Sequence, residues 1–542
     1  MEVCDEILKQ VEEVASREGA ESVRAVILYG SRVSGYARED SDYDVIAIID
    51  KLPERIQYHY KPFGDVKLAI LAVDREVFES DVKDSILGDF VSGRLFTPFI
   101  PLSNSEYVRL WEVYMKRRIA LEELIELAYT YEPALEYLLV DPTYIILSYL
   151  RRRAKAYPPV GYSYRLMLSG GKGEENLKDI MNGLYEALKL LESEGYIKLI
   201  DGSIRLDRSI LSLVDARGYD LRRIGGRIAR VIKSYAVHTY AGRDVFLKVF
   251  LEEFVSKLLR SYRASGFKLD TRGYIMLPTH RGLQVVDRGA ALKSILKELG
   301  FERPKAKRIG HLLSLTYLVE GEGRSILVKM YGRFDLAKWL PVSLWSQLAV
   351  DFEIKPKRRL LNEYLGIMKL SEEGLPYTPI LHLDLRRLYM VREYVHGEVL
   401  TTILKKYDSG RILDIYGLLG RLIGRIHSLG YRLGDVKPSH ILSGSNGNLY
   451  ILDLEQFKKS NQGLGWDIAE LLYLTGVELS SGKSIQLFQG IVDSFIDGYI
   501  DGGGSTRILE EASNLKYYGV FAPLIPVEAG FIVKKLRDIG YS

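Results

Sequence analysis

Short apolar runs open the chain and long helical spacings follow them. Val23 to Tyr29, Val45 to Ile49 and Val66 to Val73 are unbroken enough to predict three strands. From about Ser105 the pattern lengthens, with Tyr107 to Ala128 read as a helix and Asp141-Pro142 opening another. Ile180, Leu184, Ala187, Leu188 and Leu191 recur at helical spacing and form one apolar face, which Glu194-Gly195 ends. Tyr196 to Leu199 and Ser203 to Leu206 flank Asp201-Gly202, a pair that accepts the positive φ of a type I′ turn, so a hairpin is predicted. Helices followed by such a hairpin suggest a winged helix. The exposed residues of its second helix are not strongly basic, which favours an interaction or scaffolding module over a DNA reader. Lys268 to Asp287 predicts another strand pair around Thr271-Arg272-Gly273, and Ala290 to Leu299 a linking helix that Phe301 to Pro304 interrupts. Ser325 to Met330 then reads as a strand, Arg359 to Leu365 as a helix, and Leu388 to Glu398 as a strand running into a glycine hinge.

Two of these strands end in acidic chemistry. The first runs into Gly30-Ser31-Arg32, and after Arg38-Glu39-Asp40-Ser41 comes Asp42-Tyr43-Asp44 at the head of the second. Residues two apart on a strand share a face, so Asp42 and Asp44 can grip the same metal ions. The Gly30-Ser31 turn offers backbone and hydroxyl to a triphosphate. Two solvated aspartates in an acidic turn are the bland alternative. In order and spacing these parts resemble the DNA-polymerase-β-like nucleotidyltransferases, and the first hundred residues resemble the minimal members of that group. The resemblance implies transfer of a nucleoside monophosphate from an NTP to a hydroxyl. It also implies a third carboxylate on the next strand. Val66 to Val73 contains none; Asp65 before it and Asp74 after it are the candidates, Asp65 the better placed.

The second concentration of chemistry is Gly434-Asp435-Val436-Lys437-Pro438-Ser439-His440, followed by Ile451-Leu452-Asp453-Leu454-Glu455. One carboxylate beside a lysine and a second at a strand end equip a site for phosphoryl transfer, whose catalysis is mostly positioning and charge neutralisation. Upstream, Lys329 stands alone in an apolar strand, Glu363 lies on a helix ready to pair with it, and Glu393 marks a hinge where an adenine can hydrogen-bond to backbone. In this order the elements resemble the protein-kinase-like superfamily, closest in kind to RIO-type or lipopolysaccharide-core kinases and archaeal in type. The resemblance assigns phosphate binding to Lys329, acceptor positioning to Asp435, charge neutralisation to Lys437 and metal to Asp453. His440 stands where the second metal ligand is usually Asn, and imidazole is a softer donor than Mg²⁺ prefers. Leu454 and Glu455 replace the Phe and Gly of the metal motif, and the glycine loop shrinks to Arg308-Ile309-Gly310-His311. Only about ten residues separate Glu455 from the helix carrying Asp467, so an activation loop has no room.

Composition narrows the setting. With 47% apolar and 27% charged residues the chain is typical of globular proteins, and its net charge of +4 does not argue for nucleic acid. The single cysteine, Cys4, excludes a disulfide framework and a cysteine zinc site. No signal-like start and no membrane-length apolar run are visible, so a cytoplasmic setting is expected. Arg217, Arg222, Arg223, Arg227, Arg230 and Lys233 make a basic amphipathic segment that either meets nucleic acid or is a solvated helix face.

The expected organisation is multidomain α/β and α+β. A nucleotidyltransferase fold (mixed sheet with helices) occupies 1–105, a helical and winged-helix-like domain 106–235, a connector 236–300, and a bilobal protein-kinase-like fold 301–542. The expected function is ATP-dependent phosphotransfer with Mg²⁺ (or Mn²⁺) to a hydroxyl of a protein, RNA or small molecule, joined to a nucleotidyltransferase site. Two alternatives stand beside it: nucleotidyl transfer as the main activity with the kinase fold as sensor, or a non-catalytic nucleotide-responsive regulator or DNA-associated scaffold.

Overall fold

A computed structural model describes residues 2–169, 171–215, 269–309, 315–332, 351–479, 485–521 and 526–540. The chain divides into two units, Met1–Ile275 and Met276–Ser542. Among the described residues no helix is long and apolar enough to cross a membrane.

The first unit opens with helix α1 (Glu2–Arg17) and strands β1 (Ser22–Tyr29), β2 (Tyr43–Asp50), β3 (Ile56–Phe63) and β4 (Val66–Asp74), with β5 (Phe99–Ser103) later. They form one mixed sheet in the order β3-β4-β2-β1-β5, with β2 and β4 parallel. Helix α1 covers one face, packing Ile7, Val11 and Val14 against Val45, Ala47, Ile49, Leu68, Ile70 and Ala72. Strict alternation therefore sends Asp44 to the opposite face, where helices α2 (Arg75–Asp84) and α3 (Ser105–Thr130) pack. Strand β3 was not among the expected elements. Ile56–Phe63 is an edge strand whose few apolar residues are interleaved with polar ones, and it carries Pro62, which only an edge tolerates.

After α3 come β6 (Leu139–Val140), α4 (Thr143–Ala156), α5 (Pro158–Ser169), α6 (Gly173–Ser193), β7 (Ile197–Ile200) and β8 (Ser203–Leu206). The hairpin β7-β8 turns at Asp201 and Gly202, both with positive φ (49° and 78°), as a type I′ turn requires. Strand β6 pairs with β8, so the order is helix, strand, three helices and a hairpin. The basic segment Arg217 to Lys233 lies outside the described residues, as does Lys268.

Strand β9 (Ile275–Thr279) starts at the last residue of the first unit and forms with β10 (Gly282–Val285) a hairpin that turns at His280-Arg281, not at Thr271 to Gly273 as the sequence suggests. Thr279 shapes this turn, its hydroxyl donating to Gly282 O and accepting from Arg281 N. The Gly273 signal belongs to an earlier turn that Asp270 closes by accepting from Arg272 N at 3.1 Å. Helix α7 (Leu292–Glu298) contributes Ile295 and Leu296 to a core with Phe301, Val319, Ile326, Val328, Tyr389 and Val391. The second unit thus starts ahead of the break at Phe301 to Pro304. Strands β11 (Lys305–Ile309), β12 (Leu315–Gly321), β13 (Arg324–Met330), β14 (Ile380–Asp384) and β15 (Tyr389–Glu393) form an antiparallel sheet in the order β11-β12-β13-β15-β14. Helix α8 (Pro356–Glu372) starts with proline in its first turn, where the missing N–H costs nothing.

A helical lobe follows: α9 (Leu400–Lys406), α10 (Ser409–Ser428), α11 (Leu464–Leu479) and α12 (Ile485–Asp501), with further helices to Gly540. Small ladders border it: β16 (Gly397–Val399), β18 (Ile441–Gly444) and β19 (Leu449–Ile451) form one, and β17 (Tyr431–Arg432) with β20 (Lys458–Lys459) another. Strands β15 and β19 thereby lead Glu393 and Asp453 out of two different ladders.

Candidate active sites

On β13, Val328 enters the sheet core, so its neighbour Lys329 faces the other way. There the Lys329 ammonium meets three carboxylates: Glu363 Oε2 at 2.7 Å, Glu455 Oε1 at 2.9 Å and Asp453 Oδ1 at 3.1 Å. Burial alone would drive the ammonium toward neutrality, yet Asp453, Glu363 and Glu455 outweigh it and hold the pKa well above the ordinary lysine value. Glu363, on α8, is fully buried and also takes a hydrogen bond from Tyr331 OH at 2.6 Å and an ion pair from Arg392 at 2.8 Å. Glu455 is gripped in turn by the buried Arg359, and its backbone carbonyl accepts from Asn362 Nδ2 at 3.0 Å.

The loop from Leu433 to Lys437 is hung from two carboxylates on α11. Asp467, with no exposed surface, accepts from the backbone N–H of Leu433 and Gly434, each at 2.7 Å, and contacts His427 Nε2 at 3.1 Å. Glu470 accepts from Val436 N at 2.8 Å and Trp466 Nε1 at 3.1 Å. Burial, reinforced by Asp435, lifts the Glu470 pKa well above the carboxylate range. Gly434 has a φ of 83°, and a Cβ there would fall 2.7 Å from the Gln456 Cβ, so only glycine lets the loop lie this close.

Asp435 projects from this loop and pairs with Lys437 Nζ at 2.9 Å. Burial raises its pKa, but His440 and Lys437 prevail and leave the carboxyl below its ordinary value. Lys437 is moved the other way: burial lowers it, and Asp435 with Glu470 more than restores it, so it stays charged. The His440 ring sits with Nδ1 3.1 Å from the Asp435 carbonyl oxygen, a geometry in which Nδ1–H donates and the lone pair is left on Nε2. Burial holds the imidazole below its ordinary pKa despite Asp435, so the ring is neutral and able to ligate.

Two groups of acidic and imidazole side chains have ligand atoms within 4.8 Å of one another: Asp435, His440 and Asp453, and Glu363, Asp453 and Glu455. The Lys329 ammonium already sits among the three carboxylates of the second group. The first group, two carboxylates and a neutral imidazole, fits a divalent cation. Glu393 ends β15, exposed, its N–H bonded to Pro379 O at 3.0 Å. Gly310 lies outside the described residues.

In the first unit, Tyr29 pairs with Asp44 across β1 and β2, and Gly30 follows at a φ of 87°. A Cβ on Gly30 would stand 2.3 Å from Asp44 Oδ2, so the carboxylate lies directly against the Gly30-Ser31 turn. That turn is closed by Ser34 N to Gly30 O at 3.0 Å and Tyr36 N to Ser31 O at 3.1 Å. Arg32 ties it to the acidic loop, donating to Ser41 O at 3.0 Å and lying 4.2 Å from the Tyr43 ring centre. Asp42 immediately precedes β2. The register partner of Asp44 on β4 is Ala69, and alternation puts Lys67 on that same face. Asp65 stands exposed at the turn before β4, beside Gly64. Among the described residues, three-membered groups of close metal-ligating side chains occur only in the second unit.

Sequence reasoning placed Lys329, Glu363, Asp435, Asp453 and His440 in one order, and the fold brings them together. It did not single out Tyr331, Arg359, Arg392 or Glu470, and it read Glu455 only as a departure from a motif. A usable signal existed: Arg392 and Glu470 are charged residues inside apolar runs, where burial demands a partner.

Known proteins match the two units separately. Residues 7–94 match the family model of the nucleotidyltransferase domain. The C-terminal region is similar to a probable serine/threonine-protein kinase, the BUD32 homolog of Archaeoglobus fulgidus, with 26% identity over 172 residues, 31% of this chain and 80% of the relative. The KEOPS complex subunit Bud32 of Pyrococcus abyssi is 26% identical over 121 residues, 22% of this chain and 54% of that protein. A probable bifunctional tRNA threonylcarbamoyladenosine biosynthesis protein of Methanosarcina acetivorans is 28% identical over 198 residues, 36% of this chain and 31% of its own length. The chain therefore joins an N-terminal nucleotidyltransferase domain to a C-terminal region homologous to the archaeal Bud32-type atypical kinases.

Proposed function

We propose that the second unit transfers the γ-phosphoryl group of ATP to a hydroxyl, and that a serine or threonine side chain of a protein is the acceptor. The observation that carries this reading is the convergence on Lys329 of Glu363 at 2.7 Å and Asp453 at 3.1 Å, with Asp435 and His440 grouped around Asp453. Lys329 would release Asp453 to hold the α and β phosphates, still fixed from behind by Glu363. Asp453 and His440 would hold Mg²⁺ (or Mn²⁺), which when bound supplies charge neutralisation on the phosphates. Asp435 aligns the acceptor hydroxyl. The hydroxyl oxygen forms its bond to γ-phosphorus as the bond to the bridging oxygen breaks, ADP leaves with that electron pair, and Asp435 receives the proton. Its lowered pKa makes Asp435 a weak base, which suits a reaction in which the proton moves late. Lys437 offsets charge on the transferred group. The name of the Archaeoglobus relative, a probable serine/threonine-protein kinase, supports a protein acceptor. Asp435→Asn should keep ATP binding and lose about 10²–10⁴-fold in turnover; undiminished phosphorylation by this variant sinks the assignment.

The first unit supports a second reading, nucleotide binding through Gly30, Ser31, Asp42 and Asp44. With Lys67 and Ala69 on the β4 face beside Asp44 and Asp65 out at an exposed turn, the arrangement favours holding an NTP over transferring its nucleoside monophosphate. Pyrophosphate release that disappears in the double variant Asp42→Asn, Asp44→Asn would instead establish transfer.

A further inference from the structure

We propose that Arg94 and Arg153 of the first unit form a binding site for a phosphate group, separated from Asp44 by the side chain of Tyr29. Arg94 comes from the single turn Ser92–Phe96 and Arg153 from α4. Gly93 makes room for their meeting, since a Cβ there would stand 1.5 Å from Arg153 Nη1. The two guanidiniums are near enough for Arg153 to oppose the charge on Arg94. Both are half-buried.

Like charges brought together in a protein interior need counter-charge. Their basic neighbours have it. Arg118 pairs with Asp89 at 2.6 Å and Glu122 at 3.2 Å, and Arg152 with Glu122 at 3.3 Å and Glu123 at 2.7 Å. The buried Asp81 is engaged by the backbone N–H of Leu87, Val91 and Ser92. Among the described residues neither Arg94 nor Arg153 has a carboxylate at ion-pair distance. Arg94 instead donates to Tyr58 OH at 2.9 Å and to Phe90 O, with its guanidinium carbon 5.2 Å from the Tyr29 ring centre. Arg153 lies 5.9 Å from the Tyr149 ring centre.

Around the pair stand the Tyr29, Tyr58, Tyr149 and Tyr164 hydroxyls and, beyond ion-pair distance from Arg153, the Asp89 carboxylate that Arg118 already holds. Burial keeps Tyr29, Tyr58, Tyr149 and Tyr164 protonated, so none of them supplies a negative charge. Two guanidinium forks with neutral hydroxyl donors present more hydrogens than a carboxylate has oxygens, and suit the three terminal oxygens of a phosphate. The location gives the site its meaning. Tyr29 and Tyr58 each sense both Arg94 and Asp44, so a phosphate on the arginines would sit on the far side of these rings from the Asp44 carboxylate. Its source is either the polyphosphate tail of an NTP or the phosphate of a second substrate. Only this choice of source rests on the nucleotide-binding reading; the arginine geometry is independent of it.

Calorimetric titration of the full chain with inorganic tripolyphosphate, and with inorganic phosphate in saturating ATP, tests the site in wild type and Arg153→Gln. The second unit is identical in both proteins, so its contribution cancels. Losing one charge-assisted fork should weaken one probe by at least about tenfold. Loss for tripolyphosphate identifies the NTP tail as occupant, and loss for phosphate in saturating ATP identifies a second substrate. Equal affinities of the two proteins for both probes overturn the proposal. Should Arg153→Gln fail to fold, Arg153→Lys replaces it: the ammonium lacks the paired N–H fork, so weakened binding is again expected and unchanged binding again overturns the site.

Discussion

The Asp467 carboxylate receives the backbone N–H of Gly434 at 2.7 Å, from a helix that starts thirty residues further along the chain. This bond and its twin to Leu433 hold the loop that carries Asp435. Asp467→Ala orphans two buried N–H groups, each worth about 1–3 kcal/mol. Urea denaturation should show a loss of stability of that order, together with reduced phosphotransfer. Unchanged stability would mean that the loop is held by something else.

Glu455 is the most consequential departure from the usual metal motif. It ties the buried Arg359 to Lys329, two elements of the sheet lobe. Glu455→Gln breaks a buried ion pair from one side and should cost about 3–5 kcal/mol, read as a shift of the urea midpoint. A glycine in its place, restoring the ordinary motif, should be no better, because the arginine still loses its carboxylate.

The pH dependence follows from two downward shifts. Burial lowers the His440 pKa, so the neutral, ligating ring persists as pH falls past the ordinary value of about 6.5. Asp435 is likewise held below its ordinary value, so it stays ionised to lower pH. Its depressed folded-state pKa also stabilises the fold above the unfolded carboxylate value, a contribution lost as pH drops through the folded one. The acid limb of the pH–kcat profile should therefore lie below about 6.5. A limb at or above that value contradicts the assignment of His440.

Lys67 shares the Asp44 face of the sheet with Ala69, where a third carboxylate is expected from related enzymes. Lys67→Asp places an acid on an exposed position of that face, so the fold should tolerate it. We expect additional Mn²⁺ bound per chain, measured by electron paramagnetic resonance, relative to the wild type. No additional Mn²⁺ would show that position 67 does not face the cation.

Much of this was legible from the order of residues. Lys329, Glu363 and Asp453 each stand in a recognisable local pattern, and the fold closes separations of 34 and 124 residues between them. The Gly30 turn and Asp42-Tyr43-Asp44 were readable for the same reason. Glu455 was not, because its meaning depends on Arg359, 96 residues earlier, and no periodicity links them. The hairpin turn at His280 was displaced toward Gly273 because glycine is the stronger local signal, whereas the actual turn is shaped by the Thr279 hydroxyl. The Arg94–Arg153 pair, joining a turn to the later helix α4, has no trace in either segment alone.

The most direct test incubates the full chain with ATP labelled at the α position and, separately, at the γ position, alongside Asp435→Asn. The account predicts label from γ on a serine or threonine hydroxyl, absent from the variant, and none retained from α. Protein retaining α label, or γ label that survives Asp435→Asn, contradicts it.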